Sequence, residues 1–359
     1  MKKNDLLTAI CLSLFIAFTS CEKENDPAPE PEPTLPQTTG FFVLNRGGWN
    51  ANNASLAYYN LLEGVMIPDL YKTVNGKGLG DSAEQILMYG SKIYITVTVS
   101  NRLVVLDETG RELKSIEPKD GETPLSPRRM VADGGKVYVS YYDGHRVAVL
   151  DTTSLSIGQT VGVGRYPEHL AIAGGKLYVA NSGGLDYPVY NNTVSVVNLN
   201  TLEVTNEITV AINPVRLLTD SQGDVYVISI GNYGDVKSTL QRIDAGTGQV
   251  TEMGRGSLFT LANDKLYVVH AAYGDPQITF KTYDVLTETV EQESFITDGT
   301  TFTAISALAV DPLSGKIYVA DAENYVSTGT LYIFSPEGKK ETSMDTGGTD
   351  PSDILFLVQ

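Results

Sequence analysis

Five polar residues of different chemistry occupy the same place in a repeated sequence unit and are the first candidates for a binding site. When the repeats are aligned, this position is held by Gln85, Arg129, His169, Arg216, Leu258, Ala307 and Asp353. The polar members combine both signs of charge with two-way hydrogen bonding. A concave mouth with a few convergent polar groups suits an asymmetric small ligand. The alternative interpretation is that these residues only cap strand ends in solvent.

A second set of candidates lies in segments that differ from one repeat to the next and are rich in aromatic and amide residues. Aromatic rings provide rigid contact area, and amides both donate and accept hydrogen bonds. Variable loops on a rigid scaffold are where binding usually occurs. Together with the polar ring, the candidate ligand-binding residues are Arg46, Trp49, Gln85, Arg129, Tyr142, His169, Tyr187, Tyr190, Asn191, Arg216, Asn232, Tyr233, Tyr273, Asn324, Tyr325 and Asp353.

The familiar motifs of catalysis do not occur in this sequence. It contains no Gly-rich phosphate loop, no Gly-x-Ser-x-Gly elbow and no His-Glu-x-x-His. His145, His169 and His270 fall on loops or strand ends of different repeats, which does not favour a metal site. We therefore expect no catalytic residue, no metal and no cofactor. A hydrolase or lyase that uses scattered carboxylates stays open as an alternative.

The elements that position these residues follow from a recurring phrase, Lys-aliphatic-Tyr-aliphatic. Its tyrosines are Tyr94, Tyr138, Tyr178, Tyr226, Tyr267 and Tyr318, with aspartate replacing the lysine before Tyr226. A strand phrase that recurs about every forty residues indicates one supersecondary unit copied around a ring. Each unit contains runs typical of four strands separated by Gly and Asp turns. We predict an all-β fold, a seven-bladed β-propeller with four-stranded blades and with these tyrosines in its core.

The two ends of the chain are expected to meet in one blade. Residues 41–44 and 56–61 have the pattern of a unit without its inner strand, and residues 351–357 resemble the inner strand of the other units. We predict that the C-terminal strand completes the N-terminal blade, because closing the ring protects strand edges. In this topology the variable loops and the starts of the inner strands lie on the same face.

The N-terminus has the pattern of a targeting segment. Lys2 and Lys3 precede an apolar run that is too short to span a bilayer and that ends in small residues before Cys21. This pattern resembles a bacterial lipoprotein signal, and an ordinary secretory signal is the alternative. We predict a signal peptide over 1–20, lipidation of Cys21, an acidic Pro-rich tether over 21–40 and the propeller over 41–359. Acyl chains on Cys21 would hold the protein to a membrane.

The formal net charge of −17 disfavours nucleic acid as a partner. Affinity for nucleic acid comes largely from Lys and Arg side chains that neutralise phosphates. Cys11 lies in the predicted signal peptide, so lipidation of Cys21 leaves the mature domain without a free thiol. A disulfide framework and a cysteine nucleophile are then excluded.

The phrase Gly-Gly-Lys-Leu-Tyr-Val-Ala-Asn-Ser at 174–182 resembles the YncE-like, surface-layer-type propellers. The resemblance extends over about 41–358. The lipoprotein start, its acidic tether and the segments 45–47 and 78–85 are similar to Bacteroidetes surface lipoproteins, among them the corrinoid-capturing BtuG group. That resemblance implies a cell-surface lipoprotein of the outer membrane that binds cobalamin on the loop-rich face. It also implies a TonB-dependent outer-membrane transporter as the partner that receives the corrinoid.

Two other functions remain compatible with the residues. A glycan-binding or adhesion propeller would also use aromatic and amide side chains, and a propeller hydrolase or lyase would use carboxylates at the channel mouth. The tether could also leave the domain facing the periplasm. A propeller fold is shared by many binding proteins, so the fold alone does not choose among these functions.

Overall fold

The computed structural model describes residues 35–359, and in this part of the chain thirty strands and one short helix form. Twenty-eight strands make seven four-stranded antiparallel sheets, and the other two make a small hairpin. The prediction of a seven-bladed β-propeller is therefore confirmed.

The strands follow one another along the chain, blade by blade. Blade 1 begins with β1 (Thr38–Asn45), β2 (Ser55–Asn60) and β3 (Val65–Ile67). The helix α1 (Leu70–Asn75) follows. Blade 2 is β4 (Ala83–Tyr89), β5 (Lys92–Val97), β6 (Arg102–Asp107) and β7 (Glu112–Ile116). The hairpin is β8 (Lys119–Asp120) and β9 (Thr123–Pro124).

The next two blades have the same strand order. Blade 3 is β10 (Pro127–Asp133), β11 (Lys136–Tyr141), β12 (Arg146–Asp151) and β13 (Ser156–Gly162). Blade 4 is β14 (Pro167–Ala173), β15 (Lys176–Asn181), β16 (Thr193–Asn198) and β17 (Glu203–Thr209).

The last three blades complete the ring. Blade 5 is β18 (Pro214–Thr219), β19 (Val225–Ser229), β20 (Thr239–Ile243) and β21 (Val250–Gly254). Blade 6 is β22 (Leu258–Ala262), β23 (Lys265–His270), β24 (Thr279–Asp284) and β25 (Thr289–Gln292). Blade 7 is β26 (Ile305–Val310), β27 (Ile317–Asp321), β28 (Thr328–Phe334) and β29 (Lys340–Thr349), after which β30 (Pro351–Val358) returns to blade 1.

The burial of each strand follows its place in the blade. Second strands are covered on both faces by neighbouring blades, so they are continuous apolar runs such as β19, in which every residue is buried. Outermost strands such as β25 are exposed along their whole length. Between β10 and β11 the turn is Gly134-Gly135, where both residues have positive φ. Two glycines allow this tight hairpin turn, which twists with the strands it joins.

The repeated tyrosines form the packing between blades, as predicted. Each lies in a second strand, and none is more than 9% exposed. Tyr318, for example, packs edge-on against Phe41 of blade 1, with ring centroids 5.2 Å apart. The phrase that reveals the fold therefore provides part of its core.

The ring closes between the two ends of the chain. β30 pairs antiparallel with β1, with Ile354 opposite Val43 and Phe356 opposite Phe41. The backbone groups of Gln37 and Gln359 exchange two hydrogen bonds of 2.8 and 3.0 Å. The predicted closure by a C-terminal strand is confirmed.

One of the core tyrosines differs from the others because it also contacts a carboxylate cluster. The hydroxyl of Tyr226 lies 3.2 Å from Asp220 and 3.2 Å from Glu288. Arg242 neutralises the cluster through ion pairs of 2.5 Å to Asp224 and 3.1 Å to Glu288. A guanidinium thus occupies the centre of this group of acids, on the face opposite the variable loops.

Replacing Tyr226 with phenylalanine is expected to lower the free energy of unfolding by about 1 to 2 kcal/mol, because the half-buried carboxylates of Asp220 and Glu288 lose a hydroxyl donor. The matched control is Tyr138→Phe at the equivalent position of blade 3, where no carboxylate of residues 35–359 accepts from the hydroxyl. We expect that variant to change stability by less than about 0.5 kcal/mol. Urea unfolding of both variants measures the difference, and equal losses would contradict a specific role for the cluster.

The N-terminal predictions fall mostly beyond the described residues. The signal peptide, Cys21 and most of the tether lie within residues 1–34, which the structure does not describe. β1 begins at Thr38, a few residues before the predicted start of the propeller at Phe41. Within residues 35–359, no helix is long and apolar enough to cross a membrane.

Candidate functional site

One end of the propeller collects the predicted site residues. We call this end the loop face: it consists of the starts of the inner strands and of the loops between second and third strands. Those loops are residues 46–54, 98–101, 142–145, 182–192, 230–238, 271–278 and 322–327. Strand register places Gln85, Arg129, His169, Arg216, Leu258, Ala307 and Asp353 at equivalent positions of the seven inner strands. The predicted polar ring is therefore a real feature of the fold.

A bulge at the start of the inner strands shapes this site. In blade 3 the register shifts between Pro127 and Met130, and the inner strands of blades 4 and 5 shift at the same place. A bulge interrupts strict alternation and redirects side chains. Arg128 and Arg129, although adjacent in sequence, both line the same cavity, as do Val215 and Arg216.

Hydrogen bonds between neighbouring blades hold these bulged segments. The hydroxyl of Thr96 donates to the carbonyl of Arg128 at 2.9 Å. Ser140 repeats the contact one blade later and donates to the carbonyl of Glu168 at 2.8 Å. A small hydroxyl on each of these second strands thus fixes where the next inner strand begins, and with it the charged side chains at the channel mouth.

A chain of ion pairs crosses the channel mouth. Glu84 is its centre and contacts Arg46 at 3.3 Å, Arg128 at 2.6 Å and Arg129 at 3.2 Å. The chain extends from Arg128 to Glu168 at 2.9 Å and from Arg46 to Asp350 at 2.5 Å. Three arginines therefore share three carboxylates across blades 1 to 4.

Glu84 stays ionised because its partners outweigh its burial. Burial alone would raise the pKa of this carboxyl group, but the charges of Arg128, Arg46 and Arg129 lower the pKa to about 2. Burial acts against the charge of Arg128 as well, yet Glu168 and Glu84 raise the pKa of its guanidinium above the usual value. Glu84 and Arg128 therefore carry opposite charges at neutral pH.

Three of the five polar ring residues form hydrogen bonds between strands. Gln85 donates to the carbonyl of Met130 at 3.2 Å and accepts from its N–H at 2.6 Å. Asp353 accepts from the N–H groups of Ile86 and Ile354 at 3.2 and 3.0 Å. Arg129 donates to the backbone and side chain of Glu84. These contacts join neighbouring inner strands, so part of the ring is structural.

The other two ring members, His169 and Arg216, do not join neighbouring inner strands in this way. His169 Nδ1 is buried without a hydrogen-bond partner among residues 35–359. Burial, with the nearby charges of Arg129 and Arg216, lowers the pKa of His169 to about 3, so this imidazole is neutral at pH 7. Burial and the charge of Arg129 lower the pKa of Arg216 to about 10, so its guanidinium remains protonated.

A cavity of about 300 Å³ is lined by Arg216 and Arg129 of the ring, and we call it the channel pocket. Its polar lining is Arg128, Arg129, Tyr142, Glu168, Asn213, Arg216, Tyr233 and Ser257. A second cavity of about 190 Å³ continues outward between blades 5 and 6, and Tyr233 and Ser257 line both. The two cavities make a continuous concave surface from the channel to the rim near Tyr273.

The predicted aromatic candidates stand around this surface. Ring centroids of Tyr187 and Tyr190 lie 6.2 Å apart, and those of Tyr190 and Tyr233 lie 6.3 Å apart, both edge-on. Arg128 lies over the ring of Tyr142, 5.1 Å from its centroid. The five most exposed aromatic side chains in residues 35–359 are Trp49 (76%), Tyr187 (75%), Tyr233 (58%), Tyr273 (88%) and Tyr325 (55%). All five belong to the loop face, on blades 1, 4, 5, 6 and 7.

The amide candidates shape their own loops. Asn232 accepts from the N–H groups of Gly234 and Val236, both at 3.0 Å, and donates to Asp235 at 2.8 Å. Asn324 accepts from Val326 and Ser327 at 2.9 and 2.8 Å, and Asn191 accepts from the N–H of Asn192 at 2.8 Å. Asn and Asp commonly form such local turns. Their role as ligand contacts stays a prediction.

Sequence reasoning missed Glu84, Arg128, Glu168 and Asp350. The first three each precede a ring residue by one position, and strict strand alternation would turn them away from the channel. The bulges turn these three side chains toward the channel again. A signal was present, since the charge at this position reads Glu, Arg, Glu in three successive blades, and opposite charges in neighbouring blades indicate ion pairs.

Comparisons with solved structures support the fold. A quinoprotein alcohol dehydrogenase-like protein from Bacteroides thetaiotaomicron has a TM-score of 0.65 and 19% identity, over 89% of this chain and 78% of that one. A functionally unknown protein from Desulfotomaculum acetoxidans has a TM-score of 0.61 and 12% identity, over 89% and 99%. A streptogramin B lyase has a TM-score of 0.56 and 14% identity, over 82% and 98%. Identities this low show the fold alone.

No curated protein matches the chain. A family model does match, and it covers residues 39–227, from β1 of blade 1 to the second strand of blade 5. This segment contains Glu84, Arg128, Arg129, Glu168 and Arg216, and with them most of the channel pocket. Because the match extends over more than half of the sequence, the protein belongs to the family described as a domain of unknown function, DUF5074.

Proposed function

We propose that this protein captures a corrinoid such as cobalamin on the loop face and does not convert it chemically. The observation that carries the proposal is the placement of the exposed aromatic side chains. Five of them, from five blades, stand on the loop face, and Tyr233 and Tyr273 line its cavities; no aromatic side chain of this exposure stands on the opposite face within residues 35–359. An aromatic rim around a polar centre suits a ligand with a broad apolar face and polar groups at its edge.

The size of the surface also favours a large ligand. The channel pocket and the adjoining cavity together extend from the inner strands of blades 3 to 5 out to Tyr273 in blade 6. A corrinoid has a wide ring system with amide groups on its rim. Polar atoms of the pocket and tyrosine hydroxyls can hydrogen-bond such amides from several blades at once.

The proposal includes the cellular setting that the sequence suggests. Lipidation at Cys21 would tether the propeller to the outer membrane at the cell surface. A TonB-dependent transporter would then receive the corrinoid, which a binding protein without catalysis has to release unchanged. Mass analysis of the N-terminus of protein isolated from cells tests the lipid anchor. Protease treatment of intact cells tests exposure at the cell surface.

Titration calorimetry with cyanocobalamin is the direct test of the function. We expect one ligand per chain, with saturation at micromolar or lower concentration. A glycan array run on the same preparation tests the adhesion alternative. Binding of a glycan together with no heat from cyanocobalamin at micromolar concentration would overturn the corrinoid proposal.

Replacing Tyr233 with alanine is expected to weaken cyanocobalamin binding roughly 10- to 100-fold, the effect of losing an aromatic contact at the centre of an interface. Tyr233 is 58% exposed, so the melting temperature should stay nearly unchanged. Leu286→Ala is the matched control, because this side chain is 54% exposed in a turn on the opposite face. Equal affinities for the two variants would remove Tyr233 from the site.

A further inference from the structure

We propose that the channel pocket is an anion site in which Arg216, beside Arg129, receives one singly charged oxygen group, such as the phosphodiester of a nucleotide-bearing corrinoid. The inference rests on the proposed function for the identity of the ligand that carries the anion. The anion site itself follows from the charges and hydrogen bonds of the pocket.

Arg216 is the cation of the channel mouth whose charge is not matched. Arg46, Arg128 and Arg129 all form ion pairs with Glu84, Glu168 or Asp350. Arg216 forms neither an ion pair nor a side-chain hydrogen bond within residues 35–359, although it lines the pocket wall. A guanidinium presents five N–H donors, and donors left without partners in a partly dehydrated site favour an oxygen anion.

Arg129 provides a second, buried donor. This residue is only 7% exposed, and its terminal nitrogens are held by Glu84. Its Nε is buried and has no partner among the described residues. Because Glu84 fixes the guanidinium, Arg129 holds a positive charge in the pocket wall in one orientation.

The local charge balance favours one negative charge over two. The three carboxylates of the ion-pair chain are matched by three arginines, which leaves Arg216 as the excess cation. Asp353 is the other carboxylate near Arg216, but its oxygens accept from the N–H groups of Ile86 and Ile354, it forms no ion pair within residues 35–359, and it does not line the pocket. The two negative charges of a dianion would outnumber the one unmatched positive charge of Arg216. The dianion would also be repelled by Glu168, which lines the same wall.

The pocket also has the room and the neutral groups that such a ligand needs. Its volume of about 300 Å³ accommodates a phosphate group together with ordered waters. Asn213, Ser257 and Tyr142 add polar groups to the lining. Arginine recognises phosphate and carboxylate oxygens through paired N–H donors, so both chemistries enter the test.

The experiment compares cobalamin with cobinamide, a corrinoid that lacks the nucleotide loop and its phosphodiester. In the full chain, Arg216→Gln is expected to weaken cobalamin binding roughly 10- to 100-fold, the effect of losing a charged hydrogen-bond donor. Cobinamide affinity should change less than about 3-fold. Arg216→Lys should retain part of the preference because it keeps the charge. Arg111→Gln, which removes a charge from a side chain 70% exposed on the opposite face, is the matched control.

A second titration separates this inference from the proposed function. Dimethyl phosphate, inorganic phosphate and acetate are titrated into the wild-type chain and into Arg216→Gln. We expect dimethyl phosphate to bind the wild type at millimolar concentration and to lose measurable binding in the variant. Stronger binding of acetate would assign the pocket to a carboxylate instead and would overturn the phosphodiester assignment.

The outcomes point to different conclusions. If both corrinoids bind and Arg216→Gln weakens them equally or not at all, the anion site is wrong and the proposed function stands. If neither corrinoid binds but dimethyl phosphate binding depends on Arg216, the anion site is supported and the corrinoid proposal is overturned. If neither corrinoid nor any of the anions binds the wild type, both are overturned.

Discussion

Removing residues 351–359 is expected to abolish the cooperative folding of the propeller. The shortened chain should appear in the insoluble fraction or as a soluble form without a cooperative unfolding transition. These nine residues contain β30, the inner strand of blade 1. Their loss leaves blade 1 with three strands and opens the ring between blades 7 and 2.

The contacts of β30 explain the size of this effect. Ile354 and Phe356 pack in the cluster between blades 1 and 7, and Leu355 and Leu357 pack in the cluster between blades 1 and 2. The hydroxyl of Ser352 lies 3.2 Å from the carbonyl of Leu44 and 2.8 Å from that of Ala83, and so joins both neighbours. Without the strand, the backbone edge of β1 is exposed, and such an edge promotes aggregation.

A circular permutant provides the control for this deletion. Gln359 and Gln37 are adjacent in the structure, so the last strand can be moved in front of β1 through a short hairpin turn. We expect the permutant of residues 36–359 to fold and to unfold in one transition, because it restores every strand pair. Circular dichroism and urea unfolding compare the three chains. A deleted chain that unfolds as cooperatively as the permutant would contradict closure by β30.

The architecture could be predicted because its signal is repeated. Each copy of the tyrosine phrase marks a second strand that is buried on both sides, and packing between blades places the same side chain at the same depth each time. Averaging over six copies makes this pattern stronger than local variation. The end-to-end closure followed from the same register, since blade 1 lacked the element that residues 351–357 supplied.

The site was less predictable because it consists of departures from the repeat. The polar ring was found by register alone, but the sequence did not show that Gln85 and Asp353 join neighbouring strands while Arg216 keeps its donors free. Whether a ring residue is paired or free depends on which partners from other blades face it, and the sequence of one strand does not show this. Glu84 illustrates the difficulty: a bulge that strand alternation does not predict turns it toward two arginines of blade 3 and one arginine of the first loop.

Replacing Glu84 with glutamine is expected to lower the free energy of unfolding by about 3 to 5 kcal/mol, the usual cost of removing one partner from a buried ion pair. Arg46 keeps Asp350 and Arg128 keeps Glu168, but Arg129 loses its only carboxylate. Arg129 is 7% exposed, so water cannot replace the lost partner. Urea unfolding at pH 7 measures the loss, and Glu207→Gln on the exposed strand β17 is the control, with an expected change below about 0.5 kcal/mol.

The loss of stability in Glu84→Gln should depend on pH, whereas a purely steric effect of the substitution would not. The partners of Glu84 hold its pKa at about 2, below the value of 4.5 for a free side chain. A depressed pKa contributes stability that is fully present above pH 4.5 and is lost as the pH falls toward 2. The difference between the wild type and Glu84→Gln should therefore be constant near neutrality and should shrink through this acidic range.

A second substitution tests whether the charge of Arg129 causes the loss of stability in Glu84→Gln. If the cost of Glu84→Gln comes from an uncompensated Arg129, adding Arg129→Met should recover part of the stability, because an apolar side chain of similar length needs no partner. The double variant should then be more stable than Glu84→Gln alone at pH 7. Further destabilisation by Arg129→Met would show instead that Arg129 stabilises the channel mouth through its packing, and would contradict an uncompensated charge as the cause of the loss.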